Sequence, residues 1–527
     1  MLGNTPGGIL LGHVKSLVVA GSYRDSVFLM KVSSQLSQLA GVEMASVMMA
    51  TERNKELFQT AGLMTVQIQN AKPDDLAISL IAQTQEQAEE GIHVAVDMIS
   101  TSNQEKKQSN GSKTPERLEQ ALAADSGRNM ALISVAGDYA AYEAAKALRN
   151  NLDVMLYSDN ISIADERRLK EMARDTGRIV MGPDCGTAII NGVPLAFANN
   201  VAEGCIGVVG ASGTGTQEVT CIIDQMGQGI SQAIGTGGRD LKQEVGGISF
   251  ITGLQYLIQH DATKVIVLIS KPPHDSVRAK IAELIQQTTK PVVVHYVGSD
   301  DYGLEKAAGA KTAATLAHTA LLAVKLAGGI TASLIDDAVY QQKVQDAVDK
   351  ATDGRFLRGI FGGGTLCYEA LDIFGKVIDP ASIYSNIPLK NMNRLANLQR
   401  SIGHTFLDMG EDEFTVGKPH PMIDPTSKHK RIAEEMADSQ VAVVLFDVVI
   451  GHGAFPDQAG DLAGIIKTAG KKHSLPCLIA SVTGTEKDVP SRSDQIKKLQ
   501  DAGVIILPSN DLAAKLACDV IQTRERG

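Results

Sequence analysis

Apolar positions recur along this chain in two rhythms, and the switching between them marks out its elements. Residues 14–20 (VKSLVVA) have the density of a strand, and Arg24–Leu39 places Val27, Met30, Leu36 and Leu39 at helical spacing. Val42–Met49 predicts a second strand, Glu52–Ala61 a second helix, Asp75–Ile81 a third strand and Gln85–Ile99 a closing helix. That order suits a small α+β domain over residues 1–100. Residues 101–120 (TSNQEKKQSNGSKTPERLEQ) lose the apolar period, so 101–127 reads as a polar linker.

From residue 128 the alternation strengthens. Met130–Val135, Leu152–Tyr157 and Ile179–Met181 predict strands, separated by helices at Tyr139–Asn150 and Ile163–Thr176. Cys205–Val209, Gly229–Ile234, Val265–Ile269 and Pro291–Tyr296 continue the pattern. Near-continuous apolar runs joined by helices predict a parallel sheet covered on both faces. A charged helix, Asp336–Lys350, occupies a connecting segment at 331–355. Beyond it come strands at Gly359–Phe361, Val441–Asp447, Pro476–Ser481 and Val504–Ile506, and a helix at Asn510–Arg524. This order repeats that of 205–296, so the two stretches read as remote structural repeats. The expected fold class is α/β: a Rossmann-like segment at 128–200, two parallel-sheet domains at 201–330 and 356–527, and the small N-terminal α+β domain.

Composition narrows the function. Aromatics are 4%, Trp is absent and the net charge is −10. Base-stacking modules and phosphate-backbone binders need the opposite, so no nucleic-acid partner is expected. No stretch approaches the ~18 apolar residues of a membrane span, and no basic-then-apolar leader opens the chain, so a cytoplasmic location is expected. The six cysteines form no C-x-x-C pair, and reduced thiols are expected; only Cys185 sits in a loop motif. No metal-ligand spacing stands out.

The candidate chemistry lies in glycine turns at strand ends. C-I-G-V-V-G-A-S-G-T-G-T-Q-E (Cys205–Glu218) runs from a strand through Ser212, Gly213 and Thr214 into a helix. Crowded backbone N–H groups at a helix start favour phosphate or carboxylate. It is no Walker motif, because the Lys is missing. G-T-G-G-R (Gly235–Arg239) offers Gly237, Gly238 and a cationic Arg239, and G-P-D-C-G-T (Gly182–Thr187) offers Asp184. Such turns share the carboxyl edge of a parallel sheet, where ligands bind. F-D-V-V-I-G-H-G-A-F (Phe446–Phe455) places His452 between Gly451 and Gly453, as a phosphate ligand, general acid–base or phosphate acceptor. Gly362–Thr365 is a fifth turn. In G-K-P-H-P-M-I-D-P (Gly417–Pro425), prolines stiffen a loop carrying Lys418, His420 and Asp424, a substrate clamp.

These motifs resemble a known family. Gly182–Thr187, Ile206–Glu218 and Gly235–Asp240 resemble the α subunit of succinyl-CoA synthetase, and the chain from Gly359 resembles the carboxyl-terminal part of its β subunit. The resemblance implies two succinyl-CoA synthetase-like, flavodoxin-type domains in one chain. A closer resemblance is to FdrA-type proteins, through S-V-A-G-D-Y (134–139), M-G-P-D-C-G-T (181–187), P-L-A-F-A-N (194–199), G-G-R-D-L (237–241), S-K-P-P (270–273) and V-G-K-P-H-P-M-I-D-P (416–425). Two features depart from the synthetase: no His occurs from Val297 to Ala317, where its phosphorylated His loop would fall, and no segment resembles its nucleotide-binding half. The FdrA-type resemblance implies a subunit of oxamate carbamoyltransferase in purine (allantoin) breakdown. It would act on carbamoyl phosphate or another acyl phosphate and an oxamate- or oxalurate-like carboxylate, in an oligomer with companion subunits. The facing helix starts of that fold would be Ser212–Thr214 and Gly451–Gly453. No cofactor is demanded; CoA is the one the synthetase resemblance would supply, and no clear CoA loop precedes residue 130. An acyl-CoA ligase subunit using His452, or a non-catalytic binding subunit for an acyl phosphate or CoA ester, are the alternatives.

Overall fold

The computed structural model describes residues 13–22, 24, 26–37, 39–108, 115–415 and 419–526. The chain divides into two compact units, Met1–Gly127 with Asp412–Pro419, and Arg128–Glu411 with His420–Gly527. The first contains β1 (His13–Val19), α1 (Ser26–Ser37), β2 (Val42–Met49), α2 (Glu52–Thr60), α3 (Val66–Gln69), β3 (Leu76–Ala82), α4 (Gln85–Gln108) and α5 (Leu118–Ala124). Its sheet runs β1-β3-β2, antiparallel throughout. The central β3 is buried on both faces. Leu76 and Ile78 pack against Leu29, Val32, Leu36, Ala95 and Ile99, and Ala77 packs against Phe58, Leu63 and Ile68. The helix α4 runs nine residues beyond the expected Ile99 end, to Gln108. Gln, Glu and Lys are good helix formers, so a polar stretch does not by itself end a helix.

In the second unit, β4 (Met130–Ile133), α6 (Gly137–Arg149), β5 (Asp153–Leu156), α7 (Ile163–Asp175) and β6 (Val180–Met181) form a small parallel sheet, β4-β5-β6. Next come β7 (Thr187–Ile190), β8 (Val193–Ala196), β9 (Glu203–Gly210), α8 (Gly213–Gln225), β10 (Ile230–Gly235), α9 (Ile248–Gln259) and β11 (Val265–Ser270). They are followed by α10 (Asp275–Gln286), β12 (Val292–Tyr296), α11 (Gly303–Ala307), β13 (Lys311–Thr312), α12 (Leu316–Leu326) and the connecting α13 (Asp337–Lys350). The last stretch has β14 (Phe356–Phe361), α14 (Gly364–Gly375), β15 (Ile383–Ser385), β16 (Asn393–Arg394), β17 (His404–Asp408), α15 (Asp412–Thr415, in the first unit) and α16 (Thr426–Met436). It ends with β18 (Val441–Val449), α17 (Gln458–Gly470), β19 (Cys477–Thr483), α18 (Arg492–Gln500), β20 (Ile505–Leu507) and α19 (Asn510–Arg526).

The repeat read from the sequence is present in five strands of each sheet. One sheet runs β13-β12-β11-β9-β10-β7-β8 and the other β20-β19-β18-β14-β17-β15-β16. Their first five strands match in order and are parallel. The edges differ. The pair β7–β8 is an antiparallel hairpin, so the expectation of a parallel sheet fails at that edge. Its turn is Asn191–Gly192, both at positive φ, the signature of a tight hairpin turn.

One apolar core runs through both repeats, from Val208, Val219 and Ile223 to Leu366, Phe374, Leu445 and Ile521. Two buried carboxyl groups cross it. Glu218 of α8 accepts the Asn510 N–H at the start of α19, and Glu369 of α14 accepts the Leu316 N–H at the start of α12. The Asn510 side chain also donates to Glu369. Burial drives both carboxyls above their usual range. Each central helix thus caps a helix of the other repeat, and this fixes how α8 and α14 lie.

Candidate functional site

The two central helices meet at their N-terminal ends. Ser212 is the N-cap of α8: its Oγ accepts the Gly215 N–H at 3.2 Å and lies 2.6 Å from Thr365 Oγ1, in the first turn of α14. A Cβ on Gly363 would lie 3.0 Å from the Thr214 methyl, and one on Gly215 would lie 3.0 Å from the Thr365 methyl. Side chains there would drive the helices apart. First-turn amides at Gly213, Thr214, Gly364 and Thr365 have no intrahelical acceptor, and both helix dipoles are positive at this end. Thr187, from the Gly182–Thr187 turn, adds a hydroxyl 3.5 Å from the position of a Gly213 Cβ.

This corrects the expected pairing. The turn that meets Ser212–Thr214 is Gly362–Thr365, and not Gly451–Gly453. The helix after Gly453, α17, starts only at Gln458, with Asp457 as its cap. Gly451 and Gly453 instead lie against the backbone carbonyls of Phe197 and Ala196. The His452 N–H donates to Ala198 O, and its Nε2 is 3.1 Å from Asn200 Oδ1. His452 is exposed on the β8–β9 connection, which Gln217 of α8 also holds through Phe197 O.

The α14 start is lined with carboxyl groups. Asp447, buried near the end of β18, accepts the Gly362 N–H at 2.8 Å and the Gly363 N–H at 2.7 Å. Lys428 of α16, also buried, donates to the same carboxylate. Asp408, the last residue of β17, accepts the Gly410 N–H at 2.9 Å through Oδ1. Burial, with Glu411 nearby, pushes Asp408 up to about 7. His420 sits beside it: a Gly410 Cβ would lie 2.6 Å from His420 Nε2, and the ring lies 6.1 Å from Phe197. Burial, opposed in part by Asp447, holds His420 at about 4, so it is neutral at pH 7. Its Nδ1 accepts the Met422 N–H at 3.2 Å, which puts the ring proton on Nε2, facing Gly410.

The other expected residues serve the frame. Arg239 is ion-paired with buried Glu166 at 2.9 Å and donates to Ile161 O, so it is not a free anion ligand. Glu166 in turn shares buried Lys170 with Asp240. Gly237 has φ +83° and packs against Pro183 O, which lets two turns pass; Gly238 is open to solvent. Asp184 is exposed, at φ +54°, on the same edge. Asp424 accepts the Thr426 N–H and hydroxyl at the start of α16. Lys418 lies outside the described residues. Cys185 is buried and pushed up to about 12 by that burial, so it is no nucleophile.

Residues 360–520 match the family described as CoA-ligase, and 202–297 the family described as CoA binding domain. Residues 13–116 match AllF, heavy metal-associated domain. The Escherichia coli K12 protein named Uncharacterized protein YahF is 40% identical over 519 residues, covering 96% of this chain and 98% of that protein. The chain belongs to that family, the FdrA-type proteins. The ADP-forming succinate–CoA ligase subunit alpha of Methanothermobacter thermautotrophicus is 28% identical over 174 residues, covering 32% of the FdrA-type chain and 58% of that subunit. The crystal structure of PH0766 from Pyrococcus horikoshii OT3 is similar at 14% identity over 75% of this chain and 84% of that one, with a TM-score of 0.31. The fold is α/β of the CoA-ligase kind, and among the described residues no helix is long and apolar enough to cross a membrane.

The heavy-metal description does not fit the residues that carry it. Residues 13–116 contain no Cys, and their histidines are His13 and His93 alone. Among the described residues no group of three or more His, Cys, Asp or Glu side chains is arranged to hold a metal ion. A soft metal needs thiolate or clustered imidazole donors.

Proposed function

We propose that this FdrA-type chain seats an acyl phosphate for carbamoyl transfer, in which carbamoyl phosphate and oxamate give oxalurate and phosphate, with companion subunits completing the enzyme. The observation that carries the proposal is the meeting of two helix starts at Ser212 and Thr365. Donors aimed at the phosphate from both helices stabilise the charge that grows as it leaves. The segment Val297–Ala317 holds no His, so no phosphorylated His is required there. His420 supplies an Nε2–H beside Asp408, suited to polarising a carbonyl oxygen.

CoA fits this chain poorly. At the carboxyl edge of β4-β5-β6, a Cβ on Gly137 would collide with the Asp159 and Asn160 carbonyls, so the α6 start is closed. Asp159 and Asp184 are near enough to Tyr157 to help burial raise its hydroxyl. No step is assigned to CoA.

The test is the chain assembled with its companion subunits, supplied with carbamoyl phosphate and oxamate and no nucleotide. Oxalurate and phosphate are expected in equal amounts; no carbamoylated product overturns the proposal. The second reading, an acyl-CoA ligase subunit, draws on the matches at 202–297 and 360–520 and on exposed His452. It requires acid-labile phosphate on His452 after incubation with acyl-CoA and phosphate.

A further inference from the structure

We propose that Asp408 is the proton acceptor of this site, a role that rests on the acyl-phosphate reading. Four observations converge. Asp408 is 3% exposed, and its backbone is pinned on both sides by buried Asn386, which donates to Asp408 O and accepts its N–H, each at 2.9 Å. One carboxyl oxygen is held by the Gly410 N–H. The other, Oδ2, accepts no hydrogen bond among the described residues and points at the first residue of α14, where a Cβ on Gly364 would collide with it. At the matching register position of the other repeat, opposite the last residue of the central strand, stands Gly235, with no side chain. The carboxyl is therefore no requirement of the shared topology.

The surroundings suit proton transfer. Glu411 and Asp447 favour the protonated form; the Gly410 N–H and Lys271, which extends from the end of β11 over the Tyr368 ring, oppose it. Lys428 is engaged by Asp447, and His420 is neutral above about pH 5. The result is a carboxyl that changes charge near neutrality, the condition under which a general base works best. In the reaction, the amide nitrogen of the acceptor bonds to the carbonyl carbon of the acyl phosphate, and the carbon–oxygen bond to phosphate breaks with its electron pair on the phosphate. The N–H proton passes to Asp408 Oδ2 and then to the departing phosphate, so Asp408 ends as it began.

Two readouts on the full chain with its companion subunits test this. Sulfate stays a dianion from pH 5.5 to 9, so its affinity reports Asp408 and not its own titration. Wild type should bind sulfate about tenfold more weakly as pH rises through about 7, because the ionised carboxylate repels it. Asp408→Asn should bind sulfate equally across the range. The same variant should lose turnover by about 10²–10⁴ and lose the acidic limb of the pH profile. Both results together support the proposal. Turnover within twofold of wild type overturns it while leaving the acyl-phosphate reading standing, and so does a lost turnover with pH-independent sulfate binding in wild type, which marks a structural role. Failure of wild type to bind sulfate at any pH overturns the anion site and the proposal together.

Discussion

The two repeats of the second unit share one topology and opposite chemistry. In the first, α8 begins behind Ser212, with hydroxyls from Thr187 and Thr214 close by and a bare Gly235 at the neighbouring strand end. In the second, α14 begins behind Gly363, its turn amides already taken by Asp447, with Asp408 at the neighbouring strand end. A helix start attracts anions, but one occupied by carboxyl groups gives much of that attraction up. On the acyl-phosphate reading, the phosphate therefore falls on the α8 side. The α14 side holds the protonatable and donor groups.

The sharpest way to break the comparison is Gly213→Val. Its Cβ meets only Thr187 Oγ1, at 3.5 Å, so the fold tolerates it while the larger side chain fills the anion position. Sulfate affinity measured by calorimetry should fall at least ~100-fold, a loss of about 3 kcal/mol. Asp447→Ala should leave Lys428 buried and unpaired, costing about 3–5 kcal/mol in denaturant unfolding. Cooperative unfolding with unchanged stability would show that the α14 turn does not depend on its carboxylate.

Asp408→Asn should act on stability in the direction opposite to activity. A carboxyl raised to about 7 when folded binds its proton more tightly in the folded chain than in the unfolded one. Wild-type stability therefore falls as pH rises from about 4 through 7. The variant lacks that loss: it should match wild type below about pH 4 and exceed it by roughly 4 kcal/mol at pH 8. The smallest effect is expected at Arg239→Ala. It removes an ion pair to Glu166 that leaves Lys170 in place, so unfolding should shift by about 1 kcal/mol or less, with sulfate affinity unchanged.

Much of this was legible in the sequence. The strands, the repeat and the Ser212 turn follow from apolar runs ending in glycine, because strand burial and close backbone approach act locally. The partner of Ser212 was not legible from spacing. Gly362–Thr365 and Gly451–Gly453 both follow apolar strands, and only the register that sets Gly359 of β14 beside Leu445 of β18 tells which one opens the central helix. Asp447 did leave a trace, as a lone acid within the nine-residue apolar run of β18. A charge retained in a fully buried strand needs partners, and those proved to be two glycine amides and Lys428. The hairpin at Asn191–Gly192 carried an equally plain turn signal. The pairing of Arg239 with Glu166 had no local signature, since the partners are brought together by tertiary packing.

The central claim is that an anion sits at the α8 start with Thr365 opposite. Anomalous diffraction from crystals of the chain soaked in selenate tests it most directly. The account predicts a peak within hydrogen-bond reach of the Gly213 and Thr214 amides and the Thr365 hydroxyl. A peak at the His452 turn with none at the α8 start would contradict it.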